Sequence, residues 1–168
     1  ATGTFVLKIS EDIYTLLDDH IVKSQTMLSS PFIEPIAEKA KEWEHKLQEL
    51  QAVIDEWMAC QRTWMYLEPI FGSEDIMRQM PTEGRRFMSV DNLWRRTMVK
   101  VTEEPGYLNV LTWDPPLIDQ FKGANSRLDT IQKGLNDYLE TKRLYFPRFF
   151  FLSNDELLEI LSQTKDPR

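Results

Sequence analysis

Apolar residues recur at steps of three and four along most of this chain, the spacing that lays one stripe on an α-helix. The strongest stripe is Ile36, Ala40, Trp43, Leu47, Leu50, Ile54, Trp57, Gln61 and Trp64, a heptad-like seam with one polar member. A helix over 36–64 is about 43 Å long at ~1.5 Å per residue. Such a rod has to lay its seam on neighbouring helices.

Other stripes flank it. Ser10 to about Met27 predicts a first helix, capped by Ser10, with Glu11 and Asp12 in its first turn. Its apolar face is Ile13, Leu16, Leu17, Ile21, Met27 and Leu28. Ser29-Ser30-Pro31 breaks it, with Ser30 placed to cap the next helix and Pro31 at its first position. Pro69 and Gly72 end the long second helix. Ser73 with Glu74 and Asp75 starts a short helix, which Pro81 stops. Thr82-Glu83 opens a third long helix to about Thr102, with Phe87, Val90, Leu93, Trp94, Met98 and Val101 inward.

Residues 103–116 contain Pro105, Gly106, Pro115 and Pro116 and read as an internal joint, within which 107–111 is compatible with one helical turn. Asp114 is placed to cap a fourth long helix, from Pro115 to about Arg143, with the seam Leu117, Phe121, Ala124, Leu128, Ile131, Leu135 and Tyr138. Phe149-Phe150-Phe151-Leu152 reads as short, extended and buried on one side. Ser153-Asn154-Asp155-Glu156 is a capping box, and Leu157, Leu158, Ile160 and Leu161 mark a final helix. The expected fold is therefore all-α: an elongated bundle of long antiparallel helices with short connecting helices and spectrin-like heptad packing. Subdomains 1–102 and 115–168 are expected to meet at 103–116.

Composition narrows the function more than the fold. The chain has 168 residues, 42% hydrophobic and 28% charged, which suits a folded domain rather than a disordered tail. Its net charge of −7 disfavours wholesale attraction to nucleic acid or an anionic membrane. The single cysteine, Cys60, excludes a disulfide framework within the chain and fits a reducing compartment. Ala1 to Thr4 does not read as a signal peptide, and both ends read as cut from something longer.

No Gly-rich phosphate loop and no serine elbow flanked by glycines occurs. Cys60 and His45 stand 15 residues apart on one predicted helix, too far along a rod to act as nucleophile and base. Asp18-Asp19-His20 superficially resembles a metal cluster, but adjacent helical residues point in different directions. Glu34, Glu38, Glu42, Glu44, Glu49, Asp55 and Glu56 lie outside the seam and read as a solvated face. The basic residues are less even: Arg78, Arg85, Arg86, Arg95, Arg96 and Lys100 face only Glu83 and Asp91 between 78 and 100. Two readings stay open for Arg85, Arg86, Arg95 and Arg96: internal pairing with the acidic second helix, or a docking surface for an acidic protein partner. Trp43, Trp57, Trp64, Trp94 and Trp113 read mainly as core.

Several long blocks resemble a known family, in order and over nearly the whole chain. They are residues 17–27 (LDDHIVKSQTM), 64–71 (WMYLEPIF), 75–81 (DIMRQMP), 83–87 (EGRRF), 132–140 (QKGLNDYLE) and 146–158 (FPRFFFLSNDELL). Together they resemble the start of the linker region of dynein heavy chains, in wording closer to the axonemal (ciliary or flagellar) members than to the cytoplasmic ones. The resemblance implies a lever: a helical rod arching over a ring of ATPase modules and changing shape during the cycle. It implies the ring of the same heavy chain, the other dynein subunits and microtubules as partners. It places ATP and magnesium in the parent's motor ring, so that no cofactor is expected in this stretch. The alternative from the residues alone is a spectrin-like scaffold or adaptor that binds another protein through its helix faces. Either way the chain itself is not expected to be an enzyme. It should neither bind nor hydrolyse ATP at physiological concentrations, and calorimetry returning stoichiometric micromolar binding would overturn that.

Overall fold

A computed structural model describes residues 3–106 and 108–163. Among them are six α-helices and no strand: α1 (Glu11–Leu28), α2 (Ala37–Phe71), α3 (Glu74–Gln79), α4 (Pro81–Glu103), α5 (Leu117–Tyr145) and α6 (Asn154–Gln163). Short 3-10 turns lie at Glu34–Ile36, Asn109–Thr112 and Pro147–Phe151.

The organising element is α2, whose 35 residues span about 52 Å at ~1.5 Å per residue. Its C-terminal half pairs with α4, where Phe71 stacks on Phe87 and Trp64 on Trp94 with ring centroids 5.2 Å apart in both cases. The numbers run oppositely, so α2 and α4 are antiparallel. α5 is antiparallel to α4 as well, since Trp94 meets Phe121, Arg127 meets Ser89 and Gly134 abuts Glu83. α2 and α5 are consequently parallel: Trp57 stacks on Phe121 at 5.3 Å, and Asn125 Nδ2 donates to the Glu56 carboxylate at 2.7 Å. These three helices form an up-down-up bundle.

The shorter α1 serves the other half of α2. It runs antiparallel to it, with Gln51 Nε2 donating to Asp18 at 2.8 Å and Leu17 and Ile21 buried. One core cluster joins these layers, from Leu17 through Trp57, Trp94 and Leu135 to Leu157. It draws residues from both sides of 103–116, and Val110 and Trp113 of that segment are themselves buried in it. Lys100 Nζ lies 4.1 Å from the centre of the Trp113 ring. The 107–111 turn was expected to begin at Tyr107, which lies outside the described residues; a 3-10 turn occupies Asn109–Thr112.

The stripes located the helices, and the exceptions have physical causes. Ile36 and Trp43 belong to the seam by spacing but are 51% and 41% exposed. Ile36 falls in the 3-10 turn ahead of α2, and at the level of Trp43 α2 has passed beyond α4 and α5 and has α1 beside it. The same shortage of partners leaves Leu16 and Met27 of α1 exposed. Higher up, the stripe widens to include Val53, Cys60, Leu67 and Phe71, because two helices rather than one cover that stretch. Pro69 does not end α2: it sits inside its last turn, and the chain leaves the helix at Gly72, whose N–H donates to Glu68 O. The short α3 ends at Gln79, with Met80 non-helical just ahead of Pro81, and Pro81 is also the first residue of α4, where a missing N–H costs no helical bond.

Two expected caps are also not formed. Ser30 caps no helix from Pro31; its Oγ accepts from Phe32 N–H at 3.3 Å within a turn, and helical structure resumes at Glu34. Asp114 is two residues short of α5, whose N-cap position is Pro116, and it makes no cap hydrogen bond. Ser10 holds the N-cap position of α1 through its backbone alone. The capping box does form: Glu156 N–H donates to Ser153 Oγ at 3.3 Å, and Ser153 N–H donates to Glu156 Oε2 at 2.8 Å. Those bonds hold the Glu156 carboxyl below its ordinary pKa.

The Phe149–Leu152 run is not extended. It belongs to the 3-10 turn Pro147–Phe151, with Phe151 92% exposed and Phe149 half-buried against the core.

Close approach needs small residues at Gly84, where a Cβ would lie 2.6 Å from Met77 Sδ. That glycine lets α3 fold back on α4 and bury Ile76.

Two measurements follow from this packing. Trp57→Ala or Leu50→Ala should cost about 2–5 kcal/mol, whereas Glu42→Ala or Glu49→Ala should cost less than about 0.5 kcal/mol. Equal losses in thermal melts would reverse the inner and outer faces of α2. Cys60 is 1% exposed, and burial, with a smaller push from the Glu56 carboxylate, raises its thiol from 9.0 to about 12. The folded state thus keeps the proton longer than the unfolded state. The corresponding stability is complete below about pH 9 and is lost as pH rises towards 12. Cys60 should resist alkylation in the native protein at neutral pH and react once it is unfolded in urea; rapid native labelling would contradict its burial.

Candidate docking surface

The first three turns of α4 carry Arg85 and Arg86 outward, because Gly84, Phe87 and Val90 take the inward positions. Arg96 lies three turns further along the same outer face, with its Nε–H donating to Asn92 O at 3.3 Å. At helical spacing, Arg85, Met88, Ser89, Asn92, Arg96 and Val99 form one exposed stripe. Met88 and Val99 are nearly half exposed, so the stripe mixes cationic and apolar contact. Arg127 of α5 joins it, its Nη1 donating to Ser89 Oγ at 3.3 Å. The sequence reading did not include Arg127, since nothing in the spacing of α5 brings it beside α4.

Arg95 does not belong with the others. Its Nε–H donates to Asp91 Oδ2 at 2.8 Å, and its Nη2 lies 3.8 Å from Glu68 Oε1 of α2. The Asp91 carboxylate that accepts this bond holds the guanidinium pKa further up. Asp91 is itself buried and also accepts from Trp64 Nε1 at 3.0 Å. The four arginines therefore divide: Arg95 closes a polar bridge between α2 and α4, while Arg85, Arg86 and Arg96 face outward. Arg78, at the edge of the basic stretch, lies 3.6 Å from Glu74 in an exposed pair.

Two further polar residues hold the frame of this surface. Arg143 is buried at the seam position following Leu139 and grips the turn into α6. Its Nη2 donates to Leu152 O at 3.0 Å and to Asn154 Oδ1 at 2.7 Å, and its Nη1 to Glu140 at 2.9 Å. The spacing Leu135, Leu139, Arg143 was the available signal. Gln61, the polar member of the α2 seam, bonds the N-terminal segment: Leu7 N–H donates to its Oε1 at 2.7 Å, and its Nε2 donates to Leu7 O at 2.8 Å.

Among the described residues no group of three His, Cys, Asp or Glu side chains could hold a metal ion. No helix among the described residues is long and apolar enough to cross a membrane. Among the described residues the geometry offers a packed aromatic core and a mixed cationic and apolar face.

Residues 1–168 match the family described as "Dynein heavy chain, N-terminal region 2". Over 166 residues, 99% of the chain, it is 55% identical to dynein axonemal heavy chain 3 of Homo sapiens. It is 53% identical over the same length to dynein axonemal heavy chain 12 of Homo sapiens and 51% to dynein axonemal heavy chain 1 of Rattus norvegicus. The chain spans only 4–5% of the length of these relatives. An all-helical rod whose whole length matches at this identity belongs to the dynein heavy chain N-terminal region 2 family.

Proposed function

We propose that this chain is a mechanical segment of an axonemal dynein heavy chain: part of the linker, a lever that carries shape change in an ATP-driven ring to movement on microtubules in a cilium or flagellum. The observation that carries this reading is α2, 35 residues without a break, stiffened by stacked aromatic rings from two further helices. A lever must transmit force without dissipating it in internal slippage. Interlocked rings suit that task because sliding one helix along another would unstack them. In this reading ATP and magnesium are handled by the ring of the parent protein, and the other dynein subunits are reached through that parent.

The outward stripe of α4 then serves as a docking face for an acidic surface of the same heavy chain. Met88 and Val99 supply apolar contact, while Arg85, Arg86 and Arg96 supply register and charge complementarity. The test is Arg85→Ser, Arg86→Ser and Arg96→Ser combined, compared with Arg95→Ser alone. In the isolated chain the triple variant should melt within a few degrees of the parent. Arg95→Ser should lose about 1–3 kcal/mol, since it leaves the buried Asp91 short of a charged partner. In the full motor the triple variant should slow microtubule gliding while basal ATP turnover is retained. A triple variant that glides at the parental rate would remove the docking role from this face.

A further inference from the structure

Ahead of α1, residues 5–9 belong to neither helix nor turn and follow a bend at Gly3 and Thr4; together residues 3–9 form a strap. It lies along the groove between α2 and α4, with Gly3 beside the Arg95 guanidinium on α4 and Leu7 at Gln61 on α2. Thr4, Leu7 and Ile9 turn partly inward, whereas Phe5, Val6 and Lys8 are exposed. The 7-to-9 step has the two-residue period of an extended peptide seated on one side.

At Leu7 its main chain meets the side chain of Gln61. Gln61 offers one acceptor and one donor, and it satisfies both the N–H and the C=O of Leu7, at 2.7 and 2.8 Å. A carboxamide opposing one residue's two backbone groups reproduces one step of a β-ladder without a second strand. Gln61 is 7% exposed, so its amide would lose both partners if the strap left. Leu7 and Ile9 help line an apolar recess of about 270 Å3, whose other walls include Leu50, Ile54, Trp57, Val101 and Val110.

We propose that this α2–α4 groove is a receptor for an extended peptide, that the chain's own residues 3–9 are its ligand in cis, and that the strap is released and reseated as a unit without unfolding the bundle. Gln61 and the recess set the ligand chemistry: an extended segment with apolar side chains at positions i and i+2, and backbone N–H and C=O groups at i available to the carboxamide. Sequence on either side is tolerated, because the intervening side chains point to solvent. Release would open the recess beside Trp57 and detach the lead-in to α1. The proposal does not depend on the motor reading.

Two experiments on the whole chain decide it. In the first, Gln61→Met removes both hydrogen bonds at nearly constant volume. Hydrogen exchange at the Leu7 amide should accelerate roughly tenfold, the loss expected for two neutral bonds, while the centres of α2 and α5 exchange as before. Unchanged protection at Leu7, or equal loss throughout α2, would overturn the proposal. In the second, Leu7→Asp with Ile9→Asp unseats the strap, and a synthetic peptide of residues 3–10 is titrated in, with tryptophan fluorescence as the readout. Saturable binding is expected, and none by a peptide carrying the same two aspartates. A double variant that fails to fold would make the strap part of the core and end the proposal. A folded variant that ignores the peptide would end it too.

Discussion

The column of aromatic rings at the junction of α2, α4 and α5 is the constraint on which the other contacts depend. Trp64 lies on Trp94, Trp94 tilts against Phe121, and Phe121 stacks on Trp57. One ring from α4 and one from α5 thus occupy consecutive levels along α2. Flat rings of this size have few rotamers and leave no room for a helix to shift by a turn. The register of all three helices is settled by that stack. The polar bridge follows from it: with Trp64 in place, its indole N–H points at Asp91, and Asp91 in turn orients Arg95 towards Glu68. A buried carboxylate next to an aromatic core is tolerable only because both oxygens are engaged.

The up-down-up order explains which parts of the fold could be read from the chain. Periodicity reports which face of a helix is apolar, and it placed every long helix to within a few residues, together with the α5 seam from Leu117 to Leu135. It does not report where a neighbouring helix stops. Trp43 and Trp57 have the same standing in the seam, yet one is exposed and the other is packed on Phe121. Only the lengths and offsets of α1, α4 and α5 separate them. Proline misled for a similar reason. Pro69 reads as a helix end but sits inside the final turn of α2, and Pro81 both follows the end of α3 and begins α4.

Charge was harder to read than shape. Arg95 and Arg96 are adjacent in sequence and 100° apart around the helix, which is enough to send one to a buried carboxylate and the other to solvent. The sequence held a hint, for Asp91 precedes Arg95 by one helical turn. Glu68, which pairs with Arg95, and Trp64, which donates to Asp91, come from another helix and left no local trace. Arg143 and Gln61 look like imperfections in two apolar seams. Each is a point where the bundle grips non-helical chain, the turn into α6 in one case and the residues ahead of α1 in the other.

The pairing of α1 with the N-terminal half of α2 has a consequence of its own. Beyond the reach of α4 and α5, the molecule narrows from three rods in a triangle to two rods side by side. A triangle resists flexure almost equally in every direction. Two parallel cylinders resist it strongly in the plane containing both axes and weakly across that plane. The tip of the α1–α2 pair would therefore act as a leaf spring, clamped at its other end where α4, α5 and the aromatic stack meet α2. Its easy axis is perpendicular to the α1–α2 plane, so a sideways load on this tip would be converted into deflection along one direction rather than scattered over many.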